Sequence, residues 1–116
     1  MNARWLLVDD SPEFLAAASR LLGSQGVDVV GQATTSREAL DAVAALQPDV
    51  ALVDIELGDD DGIALARQLA EHAPSLQIVL ISAYDPADVG ELVVDSRARG
   101  FVPKRSLSAD AVRALL

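Results

Sequence analysis

The chain has 116 residues, 51% of them apolar but only 3% aromatic, with a formal net charge of −9 and no cysteine. That length suits one α/β domain with a core of Leu, Val, Ile and Ala, and is too short for two. The composition excludes disulfide and thiolate chemistry, reads as globular and not disordered, and makes so acidic a surface a poor candidate for docking on a phosphate backbone, with nothing said against a separate basic domain on a longer parent protein.

No apolar run approaches membrane-spanning length. Met1-Asn2-Ala3-Arg4 lacks the apolar stretch and cleavage site of a secretory signal, so the expectation is a cytoplasmic protein.

Taken in chain order, the pattern alternates short apolar runs with amphipathic segments. Trp5-Leu6-Leu7-Val8 reads as a first strand. Ser11-Pro12 then supplies an N-cap and first-turn pair for a helix carrying Phe14, Leu15, Ala18, Leu21 and Leu22 inward, stopped by Gly26. Val27 to Val30 is the second strand. Thr35 and Glu38 form a capping box before Ala39, Leu40 and Val43. Val50-Ala51-Leu52-Val53 is the third strand, and Ile63, Ala66, Leu69 and Ala70 mark a third helix that Pro74 ends. Ile78-Val79-Leu80-Ile81 follows as the fourth strand. Asp85-Pro86 opens a fourth helix with Val89, Leu92 and Val93 inward. Gly100-Phe101-Val102 is a brief fifth strand, and Ser108 caps a fifth helix on which Leu107 staples to Val112. Strands apolar on consecutive positions suit a parallel sheet covered on both faces. Strand–helix alternation implies a doubly wound α/β sheet with right-handed crossovers. The last helix stops at Leu116 after roughly two turns, so the expectation is one domain, 1–116, that continues into something longer.

In such sheets ligands bind beyond the carboxyl ends of the strands. The first strand ends in Asp9-Asp10, the third in Asp54, the fourth in Ser82, and Lys104 follows the fifth. Three acids on one edge repel one another, and a hard divalent cation resolves that. Asp54 is then a candidate nucleophile, since carboxylates form acyl phosphates. Lys104 and Ser82 can meet phosphoryl oxygens that the cation leaves open. Singly, each residue has an ordinary structural explanation. A strand-end Asp is usually a helix cap or a solvated acid, Ser82 a turn residue, and Lys104 a solvated amine. The weight lies in their joint arrival on one edge.

Over nearly its whole length the sequence resembles the receiver domain of bacterial two-component response regulators. The residues that carry the resemblance are Leu7-Val8-Asp9-Asp10, Val53-Asp54-Ile55-Glu56-Leu57, Gly62, Ile81-Ser82-Ala83 and Gly100-Phe101-Val102-Pro103-Lys104. The resemblance implies a flavodoxin-like (βα)5 fold with parallel sheet order 2-1-3-4-5. It implies a phosphoacceptor at Asp54, written on by a cognate sensor histidine kinase in a reaction that needs Mg²⁺ or Mn²⁺. Asp10 and Asp54 would bind the metal directly, Asp9 through water, and Glu56 through its backbone carbonyl. Ser82 would be the switch hydroxyl, Lys104 the phosphate-pairing amine and Phe101 the aromatic switch residue. Phosphorylation would change the face of the fourth helix, fifth strand and fifth helix, controlling an output or a homodimer. The stretch Phe101 to Ser108 looks most like regulators with a C-terminal helix-turn-helix output, which implies control of transcription.

The sequence departs from the family pattern in three places. Leu57-Gly58 stands where many relatives have Met-Pro, which predicts a more mobile loop. Arg105 follows Lys104 where many relatives have Pro, so no cis peptide is expected there. Asp59-Asp60-Asp61 adds charge; the favoured reading is a solvated loop with Asp61 capping the third helix, and the other is an accessory attraction for cations. Glu56 and Tyr84 stand two residues after Asp54 and Ser82, at positions that tune phosphoryl lifetime in the family. His72 reads as a surface residue, and Trp5 packs at the start of the sheet.

Two other classes compete. A haloacid-dehalogenase-type phosphatase also spaces its acids as in Asp54-Ile55-Glu56, but its nucleophile sits on the first strand and a second acidic pair comes late. A flavodoxin-type binding domain needs a Gly/Ser/Thr-rich phosphate loop where this chain has Asp9-Asp10-Ser11-Pro12. A receiver that is never phosphorylated is a third reading, disfavoured by the intact set of site residues. The chain is therefore read as a switch, not as an enzyme that turns over an external substrate, with no contact of its own to DNA or membrane.

Overall fold

A computed structural model of the chain describes residues 3–84, 90–91, 93–94 and 96–116. Five parallel strands form the central sheet: β1 (Arg4–Val8), β2 (Asp28–Ala33), β3 (Val50–Asp54), β6 (Gln77–Ser82) and β7 (Gly100–Pro103), in the order β2-β1-β3-β6-β7. A two-residue antiparallel hairpin, β4 (Glu56–Leu57) with β5 (Asp60–Asp61), is set apart from it. Without those two short strands, the order is the expected 2-1-3-4-5.

Alternate residues of each strand enter opposite cores, which is why the strands read as continuous apolar runs. Leu6, Val8, Ala51, Val53, Ile78 and Leu80 pack under α2 (Ser36–Leu46) and α3 (Gly62–His72). Trp5, Leu7, Val50, Leu52, Val79, Ile81 and Val102 pack under α1 (Pro12–Ser24) and the C-terminal helix, Ala109–Arg113.

The caps follow the sequence signals closely. Ser11 Oγ accepts from Phe14 N at 3.2 Å, and Pro12 is the first helical residue. Ser108 Oγ accepts from Ala111 N at 3.0 Å, and Leu107 and Val112 share one core cluster. Thr35 Oγ1 accepts from Glu38 N at 3.1 Å, but Glu38 reaches back one residue further than a capping box requires, to Thr34 N at 2.8 Å.

Two local expectations are corrected. Leu21 does not face the core: Leu15, Ala18 and Leu22 fill the buried stripe of α1 and leave Leu21 40% exposed. The second strand begins at Asp28, not Val27, because Val27 N bonds Leu22 O at 3.0 Å as part of the helix exit, with Gly26 beside it at φ 87°. The Asp85-Pro86 opening of the fourth helix, with Val89 and Leu92, lies outside the described residues; Val93 packs half-buried against the first core.

Candidate functional site

Four parallel strands deliver polar residues to one edge of the sheet. Asp9 leaves β1 with its N–H still bonded to Ala33 O at 3.0 Å, and its Oδ1 accepts from Ser11 N at 2.9 Å. Asp54 is the last residue of β3, and its Oδ1 accepts from Glu56 N at 3.1 Å. Ser82 ends β6, where its Oγ accepts from Tyr84 N at 3.0 Å. Lys104 opens the 3₁₀ turn that follows β7.

The carboxylates of Asp9, Asp10 and Asp54 each bring an oxygen within 4.8 Å of the others. Asp10 is exposed at the mouth, whereas Asp9 and Asp54 are 0% and 4% exposed. Lys104 Nζ sits between the two buried acids, 2.6 Å from Asp9 Oδ2 and 3.1 Å from Asp54 Oδ2. Only the Asp54 contact has hydrogen-bond geometry. Among the described residues, Asp9 Oδ2 is a buried acceptor without a hydrogen bond despite its ion pair.

One ammonium cannot neutralise two buried carboxylates. Burial pushes the Asp54 carboxyl up to about 6, with the Asp9 charge adding to the rise and Lys104 and the Glu56 N–H opposing it. Burial alone would push the Lys104 amine down, but Asp9 and Asp54 together hold it above the ordinary lysine range. A surplus of buried negative charge, an exposed third carboxylate and an acceptor without a donor fit an oxygen-seeking divalent cation.

Asp54, Ser82 and Lys104 line a cleft of about 780 Å³ with Asp10, Ile55, Glu56, Gly58, Asp60, Asp61, Ala83 and Tyr84. At its mouth Tyr84 is 48% exposed, and its hydroxyl is held above the usual tyrosine range by donating to the Glu56 carboxylate and by that charge. The Leu57-Gly58 segment, expected as a loop, closes the β4–β5 hairpin. Leu57 is buried at 2% exposure, and Gly58 takes the turn at φ 62°. Asp61 caps α3 as expected, accepting from Ile63 N at 2.9 Å and Ala64 N at 3.4 Å. Asp60 Oδ2 accepts from Ser36 N at 2.9 Å, tying the cleft rim to α2.

Gly62 fixes where Asp54 stands. A Cβ there would lie 1.8 Å from the Asp54 carbonyl oxygen, so α3 starts directly against the end of β3 only because residue 62 has no side chain. Phe101 is half-buried against the α2–α3 core and pairs with Leu80 in the sheet. His72 is exposed and bonds Gln68 O, while Trp5 is 1% exposed in the opposite core.

Sequence reasoning missed one neighbour of the site. The Phe14 ring lies 4.4 Å from Lys104 Nζ, centroid to nitrogen. Its helical spacing marks it as a core residue, and nothing local to it in the chain points across the fold to Lys104.

The chain matches, over residues 5–116, the protein family described as Response regulator receiver domain. It is 36% identical over 107 residues to a protein-glutamate methylesterase/protein-glutamine glutaminase of Alkalilimnicola ehrlichii, covering 90% of this chain and 27% of that protein. It is 34% identical over 110 residues to the DNA-binding transcriptional activator DevR/DosR of Mycobacterium tuberculosis, covering 94% of this chain and 51% of that protein. A solved response regulator from Burkholderia pseudomallei, carrying a phosphorylated aspartic acid, a calcium ion and citrate, superposes with a TM-score of 0.87 at 26% identity, covering 99% of this chain and 67% of that one. The chain spans about half or less of the length of these curated relatives.

Proposed function

The chain belongs to the family of response regulator receiver domains, and from that premise we propose that it is a phosphoacceptor switch modified on Asp54. The observation that carries the proposal is the position of Asp54: buried at a strand end, within 4.8 Å of two other carboxylates and 3.1 Å from an ammonium.

In the proposed reaction an Asp54 oxygen attacks the phosphorus of a phosphohistidine on a sensor kinase. The new P–O bond forms as the P–N bond breaks, and the histidine nitrogen leaves with the electron pair and takes a proton. Burial raises the proton affinity of Asp54, and a neighbouring cation would favour its carboxylate, the attacking form. Asp10 and Asp54 would hold Mg²⁺ directly, with the Glu56 carbonyl as a third ligand and Asp9 acting through water. When bound, that ion supplies neutralisation of carboxylate and phosphoryl charge. Lys104 pairs with a phosphoryl oxygen, and the Ser82 hydroxyl, already accepting from Tyr84 N, has its own proton free to donate to another. The bound calcium and phosphoaspartate of the Burkholderia relative support this assignment.

The switch would then act through Ser82 and Phe101. Ser82 moves to the phosphoryl group, Phe101 takes up the vacated space, and the face that includes β7 and the C-terminal helix presents a new surface to an output domain or a second copy. A differential interaction of a few kcal/mol is enough to shift such a population strongly. Control of transcription is the proposed output, supported by the DNA-binding relative. The methylesterase relative joins its matching segment to an enzyme instead, so the output is carried outside the segment the relatives share.

The test is mass-spectrometric detection of one added phosphoryl group after incubation with acetyl phosphate and Mg²⁺. One labile label on the wild type and none on Asp54→Asn is expected. Equal labelling of Asp54→Asn, or sustained turnover of a phosphomonoester, would overturn the proposal.

A further inference from the structure

We infer that Phe14 is a positioning residue for the Lys104 ammonium, holding it over the cleft when its carboxylate partners are given up; the inference rests on the phosphoacceptor reading above. Among the described residues the ammonium meets Asp9 Oδ2 at 2.6 Å, Asp54 Oδ2 at 3.1 Å and the Phe14 ring at 4.4 Å. The two carboxylates are ones that a bound cation would draw on, Asp54 directly and Asp9 through water, and Asp54 is also the proposed phosphoryl acceptor. Once they are engaged elsewhere, the ring is the attraction that stays in place among the described neighbours.

A lysine amine is a strongly hydrated point charge on a flexible four-carbon stem, so an unpartnered Lys104 would swing to water. The negative face of an aromatic ring holds a cation without occupying any of its three N–H donors in a conventional hydrogen bond. The donors are therefore left to turn from carboxylate to phosphoryl oxygen while the nitrogen stays in place.

Phe14 is itself fixed. It is the third residue of α1, its N–H bonded to Ser11 Oγ, and Ser11 N is in turn bonded to Asp9 Oδ1. The ring packs half-buried on the core beneath α1, and the Lys104 side chain is only 20% exposed beside it. The acidic loop and the amine are thus placed by the same first turn of helix. An attraction of this kind in a partly desolvated site predicts a roughly three- to tenfold loss in rate when the ring is removed.

The test compares Phe14→Leu, which keeps an apolar side chain, with Phe14→Tyr, which keeps the ring, and with pentafluorophenylalanine at position 14, which keeps the shape and reverses the ring's charge distribution. Labelling rates are measured across acetyl phosphate concentrations at fixed Mg²⁺. The maximum rate should fall for Phe14→Leu and the fluorinated ring, and recover for Phe14→Tyr. In metal-free protein, the Lys104 ε-methylene resonances should carry an upfield ring-current shift that Phe14→Leu abolishes. An unlabelled wild type overturns the phosphoacceptor reading and this inference with it. A labelled wild type matched by Phe14→Leu overturns this inference alone. Equal slowing in all three variants also overturns it, because packing and not the ring's charge would then be responsible.

Discussion

Asp60 and Asp61 line the same cleft as Asp54, yet each already has one carboxylate oxygen engaged at a helix start. Asp61 accepts from two N–H groups of the first turn of α3, and Asp60 accepts from the first N–H of α2. Helix N-termini present unpaired N–H groups and positive potential, so both acids meet donors there in an exposed setting. Asp9 and Asp54 are buried, share one ammonium, and leave one oxygen without a hydrogen bond. The same side chain serves as a helix cap in one place and as an unfinished ion site in the other. Burial and the number of donors, not the count of acids, separate the two.

The sharpest way to break this comparison is to remove the shared cation. Lys104→Met keeps most of the apolar stem and leaves two buried carboxylates facing each other. Breaking a buried pair by deleting one partner typically destabilises by about 3–5 kcal/mol, and a urea midpoint at neutral pH should fall accordingly. Added Mg²⁺ should recover more stability in this variant than in wild type, since the variant has greater uncompensated charge. A loss under about 1 kcal/mol would mean that the pair behaves like an exposed one.

A smaller effect follows from the proton. Asp54 holds its proton up to about pH 6 in the fold, against an ordinary carboxyl value of 3.8. The folded state therefore binds more protons than the unfolded chain between those values. The Asp54 contribution to stability is favourable in acid and is lost as pH rises through about 6. Asp54→Asn removes that dependence. The stability of the variant relative to wild type, measured without divalent cation, should rise between pH 4 and 7 by on the order of 2–3 kcal/mol. A flat difference would show that Asp54 ionises as an ordinary surface carboxyl does.

Much of this contrast was legible in the sequence. Strand runs apolar on consecutive positions announced a sheet covered on both faces, and the strand-end rule then gathered Asp9, Asp10, Asp54, Ser82 and Lys104 on one edge. Ser11, Asp61 and Ser108 were legible as caps because each combines a short acceptor side chain with the start of a helical pattern. Other features have no local signal. A two-residue strand has no periodicity, so the β4–β5 hairpin was hidden inside an apparent loop. Leu21 matched the helical spacing but fell off the side of a narrow stripe. The Lys104 contacts with Asp9 and Phe14 depend on how α1 and β7 meet in three dimensions. Helical spacing assigned Phe14 to the core and gave no sign of its second contact.

The smallest prediction tests the other half of the comparison. Asp61→Ala removes the acceptor from Ile63 N and Ala64 N, leaving two N–H groups at the start of α3 to water. Loss of such a cap costs about 1 kcal/mol, seen as a lowered urea midpoint. Phosphoryl labelling of Asp54 should nevertheless persist, because Gly62, not Asp61, sets how α3 abuts the Asp54 carbonyl, and Gly62 N keeps its 3.0 Å bond to Ile55 O. If Asp61→Ala instead lost labelling while remaining folded, the acidic rim would belong to the ion site, and the division between capping and cation-seeking aspartates would fail.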